Sequence, residues 1–73
     1  MSVYDEVIGV TKRYMGPAAE KFIERQCKLM KTDPSKLASD HMEQLAWLSK
    51  NAAGVYMDVA RAEEMAQQIS AVK

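Results

Sequence analysis

Apolar residues recur three and four positions apart from one end of this chain to the other, and that spacing restricts it to helices. Period-two alternation, the mark of a half-buried strand, is absent. Ala, Met, Glu, Gln and Lys are strong helix formers, and they dominate the composition. The pattern is then cut into short pieces. Gly16-Pro17 interrupts it, KTDPSKLASD (residues 31–40) breaks it, and Asn51 with Gly54 weakens it further on. Helices this short are marginal alone in water, so their stability must come from burying one another's apolar faces. The predicted fold is therefore all-α: a small four-helix bundle with a short extra turn near residues 33–37, in one domain spanning 1–73.

The first helix presents Val3, Tyr4, Val7, Ile8, Thr11, Tyr14 and Met15 on one face. Its acidic Asp5 comes early and its basic Lys12 and Arg13 come late, which suits the helix dipole. Gly16 is expected in the left-handed conformation that ends a helix, with Pro17 opening the next one. Ala19, Phe22, Ile23, Gln26, Leu29 and Met30 make the second apolar face. Asp33-Pro34 reads as a cap and first-turn proline, and Leu37 as an apolar plug. Ser39 or Asp40 is expected to cap the third helix, Asp40 having capping-box spacing to Glu43. That helix carries Met42, Leu45, Leu48, Ser49, Ala52, Val55 and Tyr56 on its core side. A break is expected between about 54 and 58. The last helix is capped by Asp58 and faces inward with Ala62, Met65, Ala66, Ile69 and Val72.

Charge and cysteine content narrow the classes of function. Ten basic and ten acidic residues cancel and alternate in sign, so no general pull toward nucleic acid or anionic lipid is expected. Cys27 is the single cysteine and has no internal disulfide partner, which reads as a reducing, cytoplasmic setting. The start MSVYDEVIGV lacks the basic n-region of a signal peptide. No apolar run approaches the roughly 20 residues that span a bilayer.

Catalytic and metal-binding patterns are not found. His41 is the only histidine, and no C-x-x-C, H-E-x-x-H or Glu-x-x-His spacing accompanies it. It reads as a half-buried residue near a helix start. Cys27 reads as a small buried hydrophobe, although Arg25 and Lys28 stand near it. No serine sits in a nucleophile elbow, and no glycine-rich phosphate loop exists. Neither Ser35 nor Ser39 lies in the Asp-Ser-Leu motif of acyl carrier proteins, and the acidic charge of those proteins is missing. No enzyme, metal or cofactor is expected. Gln26, in the middle of an apolar stripe, is either an amide bonded to backbone or a polar contact across an interface.

Trp47 is the most informative position. With Leu45 at the centre of the core arc, it points about 200° away. Gly54 lies seven residues on, hence on the same side, with Lys50 and Asn51 nearby. A tryptophan on a polar face suits a contact surface, because large aromatics dominate interface energetics. The opposite expectation is that another helix or the N-terminal segment covers it. The candidate surface is Trp47, Lys50, Asn51 and Gly54.

Residues 14–69 resemble a small helical module appended to bacterial signalling proteins, including response regulators of the cyanobacterial PatA type. Gly16-Pro17-Ala18-Ala19 would match its turn, Leu37 its plug, and Leu45, Ala46 and Leu48 its following helix. The resemblance implies a regulatory appendage without catalytic residues.

Two functions are weighed. One is a non-catalytic protein–protein interaction module in a prokaryotic regulatory or signalling system, its partner another protein or a second copy. The alternative is a small helix-turn-helix regulator binding nucleic acid through residues 17–50. A recognition helix there would offer Glu43, Gln44, Lys50 and Asn51, behind the acidic Asp40, a poor match to the Arg, Lys, Asn or Gln that read bases.

Overall fold

The computed structural model describes residues 2–72, which are helical wherever they are regular. The α-helices are α1 (Val3–Met15), α2 (Ala19–Leu29), α3 (Met42–Ala53) and α4 (Val59–Ser70). Short 3-10 turns occupy Gly16–Ala18, Pro34–Lys36 and Ser39–His41. Contacts are densest between α3 and α4; α1 packs on α4 and α2, and α2 meets α3. The radius of gyration is 10.6 Å, close to the roughly 11 Å expected of a compact chain of this length.

Local chemistry sets most helix ends. Ser2 Oγ accepts from the Asp5 N–H at 3.2 Å, and Asp5 Oδ2 accepts in return from the Ser2 N–H at 3.5 Å, which closes a capping box on α1. Asp58 caps α4 as expected, its Oδ1 accepting from the Arg61 N–H at 2.9 Å. At the end of α1 the Gly16 N–H bonds to the Lys12 carbonyl, and Gly16 has φ 63° and ψ −137°. The positive φ is the expected one, but the ψ is not that of a left-handed helical turn. Pro17 disfavours helix-like ψ at the residue before it, so Gly16 takes the mirror image of extended backbone instead. Pro17 sits inside the 3-10 turn that starts at Gly16, and α2 begins only at Ala19, so Pro17 does not open that helix as expected.

Other ends depart from expectation. Lys31, not a glycine, carries the positive φ (58°) after α2. The Thr32 N–H reaches the Cys27 carbonyl and the Lys31 N–H the Lys28 carbonyl, a Schellman closure built on a lysine. Asp33 makes no side-chain cap; its carboxylate lies 3.8 Å from Lys36 Nζ instead. Neither Ser39 nor Asp40 caps α3 with its side chain. His41 Nδ1 does the local work, accepting from the Ala38 N–H at 3.1 Å. That bond ties a 3-10 turn directly to the start of α3 and leaves no cap position for Asp40.

The core draws on every helix: Val7 and Ile8 from α1, Phe22, Ile23 and Cys27 from α2, Met42, Leu45, Ala46 and Ala53 from α3, and Ala62, Met65 and Ile69 from α4. Leu37 plugs the connector, as its sequence position implies. Leu48, also expected inside, is half-buried and outside the core cluster, and three expected core residues are exposed. Leu29 is 63% exposed, because the α2 stripe runs through Gln26 and Cys27 to Met30 and turns Leu29 away. Val55 (86%) and Tyr56 (59%) are exposed because α3 stops at Ala53 and the helical phase that would have carried them inward is lost. Ala46 and Ala53 are buried in their place, small residues that let α4 approach closely. Among the described residues, no helix is long and apolar enough to cross a membrane.

Candidate functional site

The side of α3 away from the core carries Trp47, and α4 packs beside it without covering it: the indole remains 65% exposed. Ala46 and Ala66 are both buried. Between the two helices they floor a groove of about 340 Å³. Trp47 and Lys50 form its α3 wall, and Glu63, Gln67 and Ser70 its α4 wall. Lys50 Nζ lies 3.6 Å from Glu63 Oε1, an ion pair half open to water that bridges the walls. A pair so exposed adds at most about 1 kcal/mol of stability.

The four residues singled out in sequence separate in space. Trp47 and Lys50 line the groove; Asn51 and Gly54 do not, although both are exposed. Asn51 Nδ2 donates to the Trp47 carbonyl at 2.8 Å, so its amide serves the last turns of α3. Gly54 lies in the turn after α3 with φ −58°, a conformation open to any residue. Glu63, Gln67 and Ser70 were missed in sequence. Their signal is faint: they flank the apolar stripe of α4 at spacings of four and three, and only packing puts that flank beside Trp47.

The other reactive side chains lie apart from this groove. Cys27 is fully buried; burial pushes its thiol above the ordinary value, and nearby Glu24 and Asp33 push the same way. Tyr4 is raised by burial first, and then by Glu24 and Glu20. Thr11 is buried with its hydroxyl donating to the Val7 carbonyl at 2.8 Å. Gln26 is 1% exposed; its Nε2 donates to the Phe22 carbonyl at 3.3 Å, while its Oε1 has no donor. The amide nitrogen is thus bonded to backbone, but to a carbonyl one turn back in its own helix α2. Ser49 Oγ is likewise buried without a partner. Among the described residues, no three His, Cys, Asp or Glu side chains gather to hold a metal ion.

On the far side of α4, Tyr14 accepts from Gln68 Nε2 at 2.8 Å, and the Arg61 guanidinium lies 5.2 Å from the Tyr14 ring centre. These contacts join α1 to α4 and hold α4 in place behind the groove. In comparisons with protein-family models, with curated proteins and with solved structures, nothing matches this chain.

Proposed function

We propose that this chain is a non-catalytic protein–protein interaction module, a four-helix bundle serving a prokaryotic regulatory or signalling system in the cytoplasm, as its resemblance to the modules appended to PatA-type regulators implies. Its partner, another protein or a second copy, engages Trp47 and the groove between α3 and α4. The observation that carries the reading is a tryptophan left 65% exposed above a floor of two buried alanines. Exposing an indole forgoes burial stabilisation of about 1.5–3 kcal/mol or more, and tryptophan is enriched among the few residues that dominate interfaces. Lys50 and Glu63 supply the polar rim such a contact has.

The helix-turn-helix alternative is weaker. Residues 30–41, including two 3-10 turns, separate α2 from α3, where that motif uses a turn of roughly 3–4 residues.

Sedimentation across a wide concentration range, paired with affinity capture from the native host, tests the proposal. Trp47→Ala is expected to lower the mass or abolish the capture while helicity is unchanged. A wild type that stays monomeric and captures nothing that Trp47→Ala fails to capture would overturn it.

A further inference from the structure

A second cleft, on a different face, lies between α2 and the end of α3 and encloses about 440 Å³. Phe22 and Tyr56 meet there edge to face, ring centres 5.9 Å apart at 87°, so the exposed Tyr56 is a positioned wall. Val55 extends the apolar wall into solvent. Among the described residues, the charged ones lining the cleft are Lys21 and Arg25, both exposed, and neither forms an ion pair there. The acidic residues of α2 point elsewhere: Glu20 faces Lys12 at 3.9 Å, and Glu24 does not line the cleft. Gln26 also lines it and brings the buried Oε1 that lacks a donor. A chain of zero net charge thus places two cations without ion-pair partners among the described residues beside an apolar wall.

We infer that this cleft is a docking site for an acidic peptide segment of a partner protein. Lys21 and Arg25 are one helical turn apart, about 6 Å along the axis, so the segment carries two carboxylates at that separation. An apolar side chain between them packs on Phe22, Val55 and Tyr56. Charge complementarity selects this occupant: an aliphatic segment alone would leave both cations idle, and a basic one would be repelled.

The test is selection of a random displayed peptide library on the whole protein, followed by fluorescence anisotropy with the enriched peptides. Enrichment of peptides combining paired Asp or Glu with an apolar residue is expected. Lys21→Gln and Arg25→Gln are each expected to weaken binding by up to about fivefold; both side chains are exposed, and unchanged circular dichroism verifies their folding. Tyr56→Ala is expected to weaken it as well, and Trp47→Ala to leave it intact, which separates this site from the groove on α3 and α4. The inference is overturned if no peptide is enriched, if enriched peptides lack acidic residues, or if the Gln variants bind them unchanged. It is overturned equally if the two cations serve self-association, anionic vesicles or duplex DNA, read as loss of those activities in the double variant.

Discussion

One substitution, glycine to alanine, should have opposite signs at two positions in α1 and its cap. At Gly16 the backbone has φ 63° and ψ −137°, and nothing lies within 4 Å of an added Cβ. Any cost is therefore one of backbone conformation alone. Holding a side-chain-bearing residue in so sparse a region costs about 1–3 kcal/mol. Alanine also narrows the unfolded ensemble, which returns about 0.4–1 kcal/mol. Gly16→Ala should thus destabilise by about 1–2 kcal/mol, against a total on the order of 4–11 kcal/mol for a chain this size. Gly9 stands mid-helix in α1, exposed, with ordinary φ and open space at its Cβ. There alanine should stabilise by roughly 0.5–1 kcal/mol. In thermal melts followed by circular dichroism, the first variant should melt roughly 5–15 °C below wild type and the second a few degrees above it. Urea titrations should give unchanged slopes, since neither change alters the surface exposed on unfolding. If both variants shift in the same direction, or Gly16→Ala moves the midpoint by less than the measurement error, the assignment of Gly16 as a conformationally required glycine is wrong.

Other outcomes follow from single residues. Lys31→Gly should stabilise by about 0.5–1 kcal/mol in urea titration, because lysine holds a left-handed φ of 58° that glycine adopts freely. Gln26→Met should be neutral or stabilising, since it removes a buried acceptor with no donor; clear destabilisation would mean that Oε1 is satisfied in solution. Cys27 should resist thiol reagents in the native state and react only as fast as the chain opens, measured by comparing labelling with unfolding rates. Its thiol holds its proton more tightly folded than unfolded, so its contribution to stability is intact below the unfolded value of about 8.5 and declines as pH rises beyond it. Melts between neutral and alkaline pH, compared with Cys27→Ala, would register that loss.

What the sequence determined by itself is what depends on neighbours along the chain. The inward faces of α1 and α4 follow from residues three and four apart, and Val7, Ile8, Thr11, Ala62, Met65 and Ile69 are buried where the spacing puts them. Asp58 caps α4 because its carboxylate needs only the N–H three residues on. The outward aim of Trp47 follows from its angle to Leu45 within one helix. Tertiary structure decided the rest. The break between α3 and α4 falls where Asn51 and Gly54 weaken the helix, but its exact stop at Ala53, which leaves Val55 and Tyr56 in solvent, is not legible in the spacing. Ala46 and Ala53 became core because α4 needed small residues to pack close. Asn51 and Gly54 share a helix side with Trp47 but not its groove, whose second wall comes from α4. The pairing of Lys21 and Arg25 with Tyr56 likewise joins residues more than thirty positions apart. Periodicity states which way a side chain faces from its own axis; it carries no information on which helix, or which solvent, lies there.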